Sequence, residues 1–216
     1  MLALGIPAIS SAQNDRIYIG ASAMLSTQSS HRQGNDPSLP TAGAGGTAIG
    51  VTVEGGGLLT SRIGLGIEIS VPSRFTALQE TDYSRVFQQE SRHRDLALSG
   101  LVREVVVSTK RAGLDVVEGV GFVQESTLQR RRDQSTVLRT YPPVFGPYSD
   151  EYSFTRWTAA AVAGGDLEIR LTPHLAIVPA VRVHFIRRTS DPAQPGWALG
   201  LSSIVVRAAI GVRGTF

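Results

Sequence analysis

Cysteine is absent from the 216 residues, so a disulfide scaffold, a thiolate metal site and a cysteine nucleophile are excluded together. Lysine is almost absent as well, with Lys110 alone among the 21 lysines and arginines. The positive charge is therefore guanidinium charge, which suits groups that are paired or face phosphate while partly buried. No run of about eighteen apolar residues occurs, so no transmembrane helix is available. Aromatic residues make up only 6% of the chain, and the 42% hydrophobic content is spread so evenly that mean hydropathy is +0.02. Such an average fits a soluble domain and equally a membrane barrel whose strands alternate. The length fits one domain, with a net charge of +3 and a pI near 9.7.

What the sequence has is alternation. The last stretch places Ile204, Val206, Ala208, Ile210, Val212, Gly214 and Phe216 on one face, with Ser203, Arg207, Gly211, Arg213 and Thr215 on the other. Eight segments read as strands long enough to cross a bilayer when tilted: Arg16 to Thr27, Gly45 to Leu58, Arg62 to Val71, Asp95 to Ser108, Leu114 to Ser126, Tyr152 to Leu171, Leu175 to Arg188 and Trp197 to Phe216. Tight turns are expected at 59–61, 109–113 and 172–174. Longer polar loops are expected from Ser29 to Ala44, Pro72 to Arg94, Thr127 to Glu151 and Thr189 to Gly196. Short turns at one end and long loops at the other are the asymmetry of outer-membrane barrels.

The faces differ in more than hydropathy. Ile63, Leu65, Ile67, Ile69 and Val71 alternate with Gly64, Gly66, Glu68 and Ser70, so charge travels with small residues. A soluble ligand-binding barrel would turn the apolar face inward, and a membrane barrel would turn it outward. Glycine and alanine beside the charges suit a cramped interior, because an eight-stranded barrel has room only for side chains. The expected fold class is all-β, an eight-stranded antiparallel up-and-down transmembrane barrel. Its lumen network would comprise Glu54, Glu68, Asp166 and Glu168 with Arg103, Arg170, Arg182, Arg207 and Arg213, and with His184 as a hydrogen-bonded filler. Glu104 and Glu118 fall on faces that otherwise look apolar, which a bulge or a position near the interface would explain. Tyr18 is expected to point inward, and Trp157, Phe185 and Trp197 to form part of an outer aromatic girdle.

On these features the chain from Arg16 to Phe216 resembles the small eight-stranded outer-membrane barrels of the OmpA transmembrane-domain and OmpX type. The resemblance implies that the terminal strand serves as an assembly signal read by the barrel assembly machinery. Gly211 and Phe216 match that signal, and Gly214 departs from it. Residues 1–12 read as a truncated signal peptide, apolar and then small, with Ser10 and Ala12 placed for cleavage but without a basic start. Residues 13–216 would then form the barrel, located in the cell outer membrane.

Chemistry is sparse. None of His31, His93, His174 and His184 is followed by serine two residues on, so the His-x-Ser pair of a lipid-A deacylase is missing. His31 and His93 are placed in loops, which makes a weak case for metal; no metal, cofactor or catalytic residue is expected. Arg130, Arg131, Arg132 and Arg139, near Tyr141, Phe145 and Tyr148, read as a solvated cationic loop tip, with contact to lipopolysaccharide phosphates or a partner surface as the alternative. Nucleic acid is not expected as a partner of an exported barrel. The reading is a structural or surface-interaction protein in contact with outer-membrane lipid, without enzymatic activity or a general pore. The alternatives are a soluble periplasmic ligand-binding barrel and a lipid-modifying outer-membrane enzyme.

Overall fold

The structure, a computed structural model, describes residues 17–30, 46–83, 85–133, 150–188 and 201–216. It contains nine strands: β1 (Ile17–Ser30), β2 (Gly46–Leu58), β3 (Ile63–Pro72), β4 (Phe75–Tyr83), β5 (Arg85–Ser108), β6 (Ala112–Asp133), β7 (Asp150–Thr172), β8 (Leu175–Ile186) and β9 (Leu201–Thr215). All pairings are antiparallel. The order is β3-β2-β1-β9-β8-β7-β6-β5-β4, with a further β3 to β5 pairing that closes the sheet on itself. β4 continues the line of β3 along the same neighbour, β5, so the nine strands make a closed eight-stave barrel. The seam joins first strand to last, with Phe216 N–H donating to Ile17 O at 2.9 Å. Where β3 pairs with β5 the wall has no open edge among the described residues, the condition for a strand structure in lipid, while β4 pairs with β5 alone.

The break between β3 and β4 falls at Pro72, which has no N–H to give to a ladder. Ser73 N–H donates to Ile49 O at 2.6 Å, and the chain then resumes pairing with β5 at Phe75. At the opposite end the three short turns share one device. The Thr60 hydroxyl accepts from Ile63 N–H at 3.0 Å, the Thr109 hydroxyl from Ala112 N–H at 3.0 Å, and the Thr172 hydroxyl from His174 N–H at 3.3 Å. A side-chain acceptor two or three residues back replaces the backbone partner that the turn removes.

Side chains alternate across the wall as the period of two requires. Ile49, Val51, Val53, Ile67, Ile69, Val120, Phe122, Val181, Ile210 and Val212 point outward and are exposed, Val120 at 72%. Glu68, Arg103, Asp115, Asp166, Arg182, Arg207 and Arg213 point inward and are buried. This polarity corrects the soluble-barrel alternative, which requires the apolar face inside. The outward Glu104 and Glu118 fit neither face rule: Glu118 pairs regularly with Val102 and Ala163, and the one register shift on β5 comes just after Glu104. The irregularity at Val105–Val107 thus lies beside Glu104, as a bulge would, and nothing among the described residues explains Glu118.

Two expected loops are strand instead. The stretch from Pro72 to Arg94 holds β4 and the start of β5, paired from Phe75↔His93 to Tyr83↔Arg85. β6 runs on to Asp133 and β7 starts at Asp150, so Arg130 lies opposite Glu151. The physical reason is edge satisfaction: β5, at 24 residues, is far longer than the roughly ten a bilayer needs, and its surplus pairs with β4 and β6. Expected features at 1–16, 31–45, 134–149 and 189–200 lie outside the described residues. These include the signal peptide, His31, Arg139, Tyr141, Phe145, Tyr148 and Trp197.

Candidate functional site

The lumen is organised around Asp166 on β7. Its Oδ1 accepts from Arg182 Nη1 at 2.6 Å, and its Oδ2 lies 2.7 Å from Arg103 Nη1 and 2.7 Å from Arg213 Nη2. These arginines come from β8, β5 and β9, so one fully buried carboxylate ties together four staves. Each guanidinium then reaches a second acid. Arg182 Nε donates to Glu68 at 3.0 Å, Arg213 Nη2 to Glu54 at 2.6 Å, and Arg103 to both Glu54 and Asp115 at 3.0 Å. Branched, charge-assisted contacts of this kind fill the donor forks of arginine, which a lone pair would leave open.

Tyr18 completes this layer. It is buried, with Arg103 over its ring at 4.7 Å and Arg213 at 5.2 Å. Its hydroxyl occupies the space that a Cβ at Gly56 or Gly66 would need, so β2 and β3 carry glycine there for close approach. Nearer the short-turn end Arg170 Nε donates to Glu168 at 2.7 Å, and its Nη2 to Ser108 at 3.1 Å.

All ten expected lumen residues therefore face inward, but they do not form one network. Arg207 donates through Nη2 to the Asp95 carbonyl at 2.8 Å, while its Nε and Nη1 meet no hydrogen-bond partner among the described residues. It pairs with no carboxylate among the described residues, contrary to expectation. His184 is fully buried, and neither ring nitrogen has a partner among those residues, so it is not the hydrogen-bonded filler expected. Both face the transition between two polar layers, where Val205 and Ile186 offer no acceptors.

The second layer was missed by sequence reasoning. His93 lies inside the barrel and not in a loop; with Asp95 and Glu125 it is buried to 1% exposure or less. His93 and Asp95 are two residues apart on one face of β5, and the facing partners on β6 are Thr127 and Glu125. His93 Nδ1 is 2.8 Å from Thr127 Oγ1, and Nε2 is 2.6 Å from Asp95 Oδ1. Arg188 spans the two acids, Nη2 to Asp95 Oδ2 at 2.8 Å and Nε to Glu125 Oε1 at 2.7 Å, and Arg156 Nε takes Glu125 Oε2 at 2.5 Å. The signal was present as an inward series at His93, Asp95, Ala97, Ser99 and Arg103, which a strand started at Asp95 cuts short.

On the terminal strand Gly211 packs against Ala21 and Ser22 of β1 so closely that a Cβ would overlap both. Phe216 is 71% exposed on the outer face. Trp157 and Phe185 are also exposed outward, Phe185 next to the end of β8 at Ile186 and Trp157 well inside β7, which starts at Asp150.

A closed eight-stave sheet, an apolar exterior, a charged interior and tight turns at one end define a small outer-membrane β-barrel. The chain is similar in fold to Ail, the attachment invasion locus protein of Yersinia pestis, at 10% identity over 94% of this chain and 100% of that one, with a TM-score of 0.50. It is likewise similar to a major outer membrane protein from Thermus thermophilus, at 11% identity over 92% of this chain and 99% of that one, with a TM-score of 0.51. No protein-family model matches the sequence, and no curated protein matches it.

Proposed function

We propose that this outer-membrane barrel is a structural and surface-interaction protein with a side-chain-filled lumen, neither a general diffusion pore nor an enzyme. The observation that carries this reading is the ion-pair layer around Asp166, which links four staves across the interior. Beside it, the cavity bordered by Met24, Thr52, Glu68, Arg182 and Arg207 holds about 20 Å³, room for about one water. A hydrated ion or a sugar has no route through such a layer without breaking several buried pairs.

The interaction surface is the part of the sheet that outruns the bilayer. β5, β6 and β7 have 24, 22 and 23 residues, and with β4 they carry a four-stranded sheet beyond the rim. Along that sheet lie Arg92, Arg94, Arg130, Arg131 and Arg132. Guanidinium groups at the membrane surface suit lipopolysaccharide phosphates, taken bidentately. Gly211 and Phe216 serve recognition of the terminal strand by the barrel assembly machinery.

The test is conductance of the purified, folded chain in planar bilayers. Traces without large, sustained single-channel steps support the filled lumen, and robust porin-sized steps would overturn it. Adding lipopolysaccharide-containing vesicles tests the surface. R130Q, R131Q and R132Q together should weaken binding and flatten its salt dependence.

A further inference from the structure

We propose that His93, Asp95 and Glu125 form a binding site for one divalent transition-metal ion of the zinc type, and that Arg188 fills the cation position when the ion is away. The three residues present one ligand atom each, all within 4.8 Å of one another. Bonds of about 2.1 Å at tetrahedral angles place ligand atoms about 3.4 Å apart, so side-chain rotation alone would bring the set into register. Imidazole with two carboxylates suits zinc-like ions better than calcium or magnesium, which take oxygen ligands.

The arrangement of lone pairs points the same way. His93 Nε2 and Asp95 Oδ1 are buried 2.6 Å apart and neither meets another hydrogen-bond partner among the described residues, while the buried Glu125 Oε1 meets Arg188 Nε at 2.7 Å. If Nδ1–H donates to Thr127 Oγ1, Nε2 turns a lone pair toward a carboxylate oxygen, and a positive charge is needed between them. Thr127 would then be the group that fixes the ring, as outer-shell partners of metal-bound histidines do. Arg156 holds the other oxygen of Glu125, which leaves Oε1 turned toward the site.

Arg188 already treats the two acids as a cation site, with one guanidinium on both. It lies two residues past the end of β8, so it can swing out without disturbing a ladder. At about 2.5 Å of height per tilted residue, Glu125 stands about 33 Å above the β5–β6 turn, beyond an apolar band about 25 Å tall. The site is thus near the outer mouth, within reach of ions from that side.

The full chain, folded in detergent and stripped with chelator, would be titrated with Zn²⁺ alone by calorimetry. Saturable one-to-one binding is expected, weakened about tenfold or more in H93A and E125Q and about tenfold in T127V, where only the outer shell is lost. R188Q should bind more tightly than the native chain, a gain that misfolding does not produce. Heat-dependent gel mobility checks that each variant is folded, and H93Q replaces H93A should the latter fail. Absence of saturable binding in both the native chain and R188Q, or binding unaffected by H93A and H93Q, would overturn the proposal and leave His93 as no more than a partner of Asp95 and Thr127.

Discussion

Replacing Asp166 by asparagine keeps the shape of the lumen hub and removes its charge. Three guanidiniums approach the carboxylate, at 2.6 Å, 2.7 Å and 2.7 Å. At an effective dielectric near 20, charges about 4 Å apart attract by about 4 kcal/mol, so the gross attraction is about 12 kcal/mol. Desolvation and repulsion among the three arginines offset most of it, and each arginine keeps a second acid in Glu54, Glu68 or Asp115. The net loss should therefore lie at the lower end of the range for breaking a buried pair, about 3 kcal/mol. The control is E151Q, because the Glu151 to Arg130 pair is 2.9 Å long but its side chains are 56% and 31% exposed, worth about 0–1 kcal/mol. Reversible urea unfolding in lipid vesicles, followed by tryptophan fluorescence, measures both. If D166N and E151Q both fall within about 1 kcal/mol of the native chain, the lumen network does not hold the barrel together.

Three further outcomes follow from particular positions. G211V puts a branched side chain where Ala21 and Ser22 already lie, so it should cost about 1–3 kcal/mol and lower the folded fraction in a gel-shift assay. G214A should be nearly neutral in the same assay, because its Cβ would meet Phe216 at an ordinary 3.5 Å. I67R turns a charge toward lipid and should destabilise by about 2–4 kcal/mol in vesicle unfolding, less if Ile67 lies near an interface.

The sequence was most legible where the two sides of the wall differ. In β3 the run from Ile63 to Val71 alternates without a break, so the strand, its outward face and the inward Glu68 could all be read from the residues alone. Above the bilayer that contrast disappears. Between Phe75 and Arg94 polar residues fall at both odd and even positions, and the apolar ones, Phe75, Ala77, Leu78, Val86 and Phe87, keep no period of two, so there is no alternation to detect. His93 was lost for this reason, and with it the second polar layer. Pairing across the lumen was not legible either. Arg207 and Arg213 look equivalent on one strand, yet Arg213 reaches Glu54 and Asp166 while Arg207 meets only a backbone carbonyl among the described residues. Alternation gives the face, and only the closed barrel decides which acid lies opposite.

The central claim is the polarity of the wall, and the absence of native cysteine makes it directly measurable. Single cysteines introduced from Ile63 to Val71, labelled with a nitroxide and folded into liposomes, report access to oxygen from lipid and to a polar relaxant from water. Oxygen access should peak at 63, 65, 67 and 69 and fall at 64, 66, 68 and 70. The opposite phase, or no period of two, would contradict a barrel that shows lipid its apolar face and keeps its charges inside.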